Sequence, residues 1–179
     1  MVEIVEQIPD GASLFDVGCG SGTLLHLGKQ FRHVKKASGY DISPSAVEAS
    51  TVFENINVQL LSVGDPLPSL SGYDVISVVD VLHHIPVDQQ DEFISEIIKL
   101  MDVGSELLIA DINAEKKVGA FLNWIHDLLL AREWVHPSTP AKVESLISKL
   151  GCEVLHCSLH RTLWYPHFIM KVKKVTESQ

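Results

Sequence analysis

The segment Leu14-Phe-Asp-Val-Gly-Cys-Gly-Ser-Gly22 constrains this chain more than any other. A short apolar run of strand character ends at alternating glycines, and Leu24, Leu25, Leu27 and Phe31 then recur at helical spacing. A strand that stops at a glycine cluster and restarts as a helix leaves unpaired helix N–H groups at the strand end. Glycines at that point let backbone approach a bound group closely.

The same alternation continues. Ala37 to Asp41 reads as a second strand, and Ser43-Pro44 as an N-cap with proline at the first position of a helix reaching Phe53. Val58 to Val63 is a third strand, closed by Gly64-Asp65-Pro66, and Tyr73 to Val79 is a fourth, nearly continuous in apolar residues. Asp88 to Met101 is an amphipathic helix ended by Gly104, and Glu106 to Ile112 is a fifth strand. Ala114 to Glu133 reads as a helix broken by Pro137 and Pro140, followed by a helix over Ala141 to Leu150 with Gly151 behind it. Cys152 to His160 and Trp164 to Lys173 then follow one another as strands. The turn near Arg161 and Thr162 is too short for a crossover helix, so this pair is expected to be antiparallel. The pattern predicts one domain over residues 1–179. It is α/β, doubly wound and mostly parallel, with an antiparallel pair at the C-terminus and a ligand site at the C-terminal strand ends.

The glycine pattern is G-x-G-x-G, and Thr23 stands where a dinucleotide fingerprint carries its third glycine. An acid, Asp16, sits two positions before the first glycine, where a dinucleotide fold usually has an apolar residue. S-adenosylmethionine carries an ammonium and a sulfonium and no pyrophosphate, so a carboxylate at that strand end suits its cationic methionyl part. Asp41 ends the second strand, where a carboxylate can accept from both ribose hydroxyls. Asp65 ends the third and can accept from the adenine amino group.

On these residues the chain resembles the class I S-adenosylmethionine-dependent methyltransferases, in particular the small-molecule group with a D-x-G-C-G-x-G motif. Gly39-Tyr-Asp-Ile-Ser-Pro-Ser-Ala-Val47 is similar to the family's ribose segment, and Val63-Gly-Asp-Pro-Leu-Pro68 to its adenine segment. Tyr73-Asp-Val-Ile-Ser-Val-Val-Asp-Val-Leu-His-His-Ile85 matches its fourth-strand segment. The resemblance implies a Rossmann-like, seven-stranded sheet, S-adenosyl-L-methionine as cofactor and S-adenosyl-L-homocysteine as product. It places Gly18, Cys19, Gly20 and Gly22 along the methionyl and ribose portions, with Asp16 beside them. Asp41 and Ile42 hold ribose and adenine, Gly64, Asp65 and Pro66 flank adenine, and Asp80 and Val81 lie beside the methionine moiety. Only about a dozen residues precede Leu14, where most relatives carry a longer helical cap. A homo-oligomer or a partner chain over the open site is therefore expected.

His83 and His84 are the candidate proton acceptors, with Asp80 beside them, although in the family this pair often supports the loop. Trp124, His126, Arg132 and Trp134, and more weakly Tyr165 and His167, are candidate acceptor-pocket residues. Val79-Asp80-Val81-Leu82 stands where nucleobase and glutamine-amide methyltransferases carry an N-P-P-Y-like segment. With 23 acids against 14 Lys and Arg and a formal net charge of -9, the chain offers no basic surface for nucleic acid. Cys19, Cys152 and Cys157 fit neither a disulfide framework nor a CxxC metal site, and no metal is expected. No apolar stretch suits a membrane span and no leader is evident, so a cytoplasmic protein is expected. The expected reaction is in-line transfer of the sulfonium methyl to an O or N nucleophile on a small molecule. The alternatives are a cofactor-binding module inactive alone or needing a partner chain, and a nicotinamide-dependent oxidoreductase, against which Thr23, Asp16 and the antiparallel end argue.

Overall fold

The computed structural model describes residues 1–113, 136–162 and 165–176. The run before the glycines forms β1 (Ser13–Val17), buried from Leu14 onward as a strand covered on both faces must be. Six more strands follow: β2 (Lys36–Asp41), β3 (Asn57–Leu60), β4 (Val75–Val79), β5 (Glu106–Ile112), β6 (Cys152–Thr162) and β7 (Tyr165–Lys174). They make one sheet in the order β3-β2-β1-β4-β5-β7-β6. The first five are parallel, and β7 runs antiparallel to both β5 and β6. The chain winds outward from β1 to β3 and then returns to place β4 on the other side of β1. That reversal opens a crevice beyond the C-terminal ends of β1 and β4, where ligands of open α/β sheets bind.

The helices are α1 (Val2–Glu6), α2 (Thr23–Arg32), α3 (Pro44–Ser50), α4 (Val87–Leu100) and α5 (Pro140–Lys149). Ser43 caps α3 by accepting from the Ala46 N–H, and Thr139 caps α5 by accepting from Lys142, each ahead of a proline at the helix start. Alternate side chains of the strands feed two cores. On one face Phe15, Ile76 and Leu107 pack with Ile97 and Ile98 of α4 and Ile147 of α5. On the other, Leu14, Val75 and Leu108 pack with Ile4 and Val5 of α1 and Leu25 of α2. No helix among the described residues is long and apolar enough to cross a membrane.

Several boundaries differ from expectation, three of them in ways that bear on the site or the sheet. β3 stops at Leu60, short of Val63, because the Asp65 carboxylate takes the Ser62 N–H at 2.7 Å and turns the chain. α3 stops at Ser50, short of Phe53; the Ser50 and Thr51 hydroxyls donate to Val47 and Glu48 carbonyls, the local competition that ends helices. Arg161 and Thr162 belong to β6, paired with Pro166 and Tyr165, and are not in the turn. The helix expected over 114–133, with Trp124, His126, Arg132 and Trp134, lies outside the described residues.

Candidate cofactor and active site

The glycine loop is held open by backbone geometry. Gly18 has φ +67, and a Cβ built there would lie 2.6 Å from Val81 Cγ2. Gly22, the N-cap of α2, has φ +76, and a Cβ there would run into the Ile56 side chain. A side chain at either position would collide and be strained as well. β2 fixes the loop from the side. The Cys19 N–H donates to the Tyr40 carbonyl at 2.9 Å, and Asp41 accepts from the Gly20 N–H at 2.7 Å and the Ser43 N–H at 2.8 Å. Asp41 thus ties together the two loops that follow β1 and β2.

A cavity of about 630 Å³ opens beside this loop. Gly18, Tyr40, Ile42, Gly64, Asp65, Pro66 and Val81 border it, and His84, Ile85, Gln89 and Phe93 continue the wall onto α4. Ligand sites typically span roughly 300–1,000 Å³ and are mostly apolar with a few polar groups. Ile42 and Val63 stand 56% and 85% exposed at its border, well above what buried aliphatic side chains show. Its described lining includes Asp65, Glu92 and Glu96 and no Lys or Arg, a wall suited to neutral or cationic ligand groups. A groove of about 650 Å³ lies at the opposite strand ends, by Gly11, Asp74 and Gly104, remote from the glycine loop.

The structure separates the predicted residues into groups. Gly18, Ile42, Gly64, Asp65, Pro66, Val81 and His84 border the cavity. Cys19, Gly20, Gly22 and Asp41 form the loop behind it. The Cys19 thiol is pushed up to about 12, by burial first and then by Asp16 and Asp41, so it stays protonated. Asp16 is 3% exposed, and among the described residues its side chain has one hydrogen-bond partner, the Ser77 hydroxyl at 2.6 Å. Burial pushes the Asp16 carboxyl up to about 7, against the lowering effect of that hydroxyl and with a smaller push from Asp41.

Asp80 follows β4 with φ +56, a left-handed conformation uncommon outside glycine, and its N–H donates to the Ala110 carbonyl. Its carboxylate lies 3.5 Å from Nε2 of His167, which β7 carries alongside Ile112. The two neighbouring histidines part company. His84 is exposed toward the cavity, while His83 is 8% exposed with Nδ1 at 2.7 Å from Asp111. Tyr40, Gln89 and Phe93 of the cavity wall and the Asp111 partner were not anticipated. Gln89 and Phe93 are one helical turn apart on α4, a signal present in the sequence, whereas Asp111 shows only as an acid at a strand end.

A seven-stranded sheet that reverses at β1, with a glycine loop over the crevice and acids at successive strand ends, defines a class I methyltransferase-type α/β domain. Residues 2–157 match the family model described as "Methyltransferase domain", and the chain belongs to that family, in its S-adenosylmethionine-dependent class I branch. It is 25% identical over 134 residues to the mitochondrial ubiquinone biosynthesis O-methyltransferase of Candida albicans, covering 70% of this chain and 39% of that protein. The chain thus spans about two fifths of that relative's length. Magnesium protoporphyrin IX methyltransferase of Synechocystis, with bound SAH, superposes with a TM-score of 0.72 at 20% identity, over 92% of this chain and 75% of that one. A methyltransferase in complex with the Haloferax volcanii Trm112 activator gives 0.80 at 13% identity, over 98% and 88%.

Proposed function

We propose that this chain transfers a methyl group from S-adenosylmethionine to an O or N nucleophile on a small molecule. The observation that carries this reading is the cavity bordered by Gly18, Ile42, Asp65 and Val81, residues at the C-terminal ends of four strands or just beyond them. The residues fit the group. Gly18 forms a cradle that a Cβ would fill, the described lining has acids in place of bases, and Asp16 is a buried carboxylate with one side-chain partner among the described residues. Asp41 and Ile42 would hold ribose and adenine, Gly64, Asp65 and Pro66 would flank adenine, and Asp16, Asp80 and Val81 would face the methionyl end. Bound there, the cofactor supplies a methyl already activated for displacement by its sulfonium.

The chain's own work is alignment and the exclusion of water. Val81 and Ile42 give the cavity apolar walls, and the Asp41 bridge keeps the glycine loop in place. His84 at the cavity and His167 beside Asp80 are the groups offered to a proton from an alcohol or a protonated amine. Support for a small acceptor comes from the two relatives named for ubiquinone biosynthesis and magnesium protoporphyrin IX. Support for a partner chain comes from the likeness to the Trm112-bound methyltransferase.

Calorimetric titration with S-adenosylmethionine, S-adenosylhomocysteine and NADH tests the assignment. The first two are expected to bind at micromolar concentration and NADH is not; binding of NADH alone would overturn it. Asp41→Ala is expected to weaken both by about tenfold while the domain stays folded. Binding without turnover on any small acceptor would favour the module that needs a partner.

A further inference from the structure

The consecutive glutamines at the start of α4 divide their work. Gln89 lines the cavity, and Gln90 points the other way, 2% exposed, into the protein. Its Nε2 reaches three backbone carbonyls, Leu82 at 3.0 Å, Ile85 at 3.1 Å and His136 at 2.7 Å, so its two N–H groups serve three acceptors with one N–H shared. Carbonyl oxygens only accept, so the partners themselves fix which end of the amide is nitrogen. Two of the carbonyls belong to the turn over residues 82–85, which carries His84 and Ile85 to the cavity wall. The third belongs to the chain leading into α5, 46 residues away. That chain also returns a bond, from the His136 N–H to the His83 carbonyl at 2.7 Å. The turn is gripped a second time from β5, where Asp111 holds the His83 ring at 2.7 Å.

Resting on the cofactor-site reading above, we propose that Gln90 is a positioning residue for the cofactor cavity. It sets the cavity-wall turn by fastening it to the chain that enters α5, without touching the cavity itself. The affinity for the cofactor thereby depends on a side chain behind the wall and on the segment to which that side chain is tied. No other side chain of similar shape does this. Glutamate has the same length and no N–H to give, and methionine has the same reach and no polar end.

The test uses the full chain and S-adenosylhomocysteine as probe, with Kd measured by calorimetry and thermal stability measured in parallel. Gln90→Glu and Gln90→Met are expected to raise Kd by about five- to tenfold, the glutamate more, because its oxygens face three carbonyls. Ile8→Ala, a truncation in the other core and next to the groove at the opposite strand ends, serves as the control for destabilisation alone. It is expected to lower the melting temperature at least as much as Gln90→Met and to leave Kd unchanged. If the Gln90 variants bind like the wild type, or if Ile8→Ala weakens binding in proportion to lost stability, the positioning role is wrong. If the wild-type chain itself fails to bind the probe, the cofactor reading falls instead, and the two failures are told apart.

Discussion

Asp16 and Asp111 are the same residue in matching places, each the last but one of its strand and each buried in the one sheet. Their surroundings differ. Asp111 accepts from the His83 ring at 2.7 Å and from the Ile112 N–H at 2.6 Å, with a longer contact to the His83 N–H at 3.4 Å. Asp16 has one hydroxyl donor among the described residues. Burial of a carboxylate is tolerated when its oxygens are met by donors and is costly when they are not. The β5 end is thus built as a fastening, closed within the protein. The β1 end holds a carboxyl whose ionised form is short of donors, which a cationic ligand group would supply.

Breaking the fastening carries the largest expected effect. Asp111→Ala removes one half of a buried pair and is expected to cost about 3–5 kcal/mol of stability, read from urea unfolding. A cost below about 1 kcal/mol would show that the His83 contact is incidental. Asp16 is expected to act in the opposite sense. Its carboxyl sits near 7 folded against 3.8 as its ordinary value, so the folded protein holds this proton more tightly than the unfolded chain. The penalty is absent below the ordinary value and complete above the folded one. Stability should therefore fall as pH rises from about 4 to about 7, by up to about 4 kcal/mol from this group. Asp16→Asn is expected to flatten that slope and raise stability at pH 8, while weakening S-adenosylmethionine binding. An unchanged slope would mean that Asp16 is better satisfied than its geometry indicates. The smallest effect belongs to Ser77→Ala, which takes away the one side-chain donor to Asp16 among the described residues. It is expected to cost about 1–2 kcal/mol at pH 8, where Asp16 is ionised, and markedly less at pH 4. Equal losses at both pH values would place the hydroxyl's role elsewhere.

What the sequence disclosed follows from how locally each feature is encoded. β1, the glycine loop and α2 are contiguous, so the strand-turn-helix and its glycines could be read in order. The antiparallel pair at the C-terminus was visible because too few residues separate the two strands for a crossover. The apolar run continues past β3 through Leu61 and Val63, yet both border the cavity and Val63 is 85% exposed. Their hydrophobicity belongs to the site and not to the strand. The histidine pair was found as a pair, but its division into one buried and one cavity-facing ring depends on Asp111, 28 residues further on. Gln90 and its three carbonyls left no trace, since backbone acceptors have no letter in a sequence.

The place of β7 bears on how such a chain is made. It is the seventh strand in chain order, yet it lies between β5 and β6, with Phe168, Met170 and Val172 fully buried. As the polypeptide emerges from its N-terminus, the five parallel strands can assemble while β5 still shows a bare edge. β6 has nothing to pair with until residues 165–174 arrive and fill the gap from the opposite direction. Until that moment the nascent domain offers a row of open N–H and C=O groups to any other strand that passes. Docking of the hairpin covers the edge of β5 and passes the open edge on that side outward to β6.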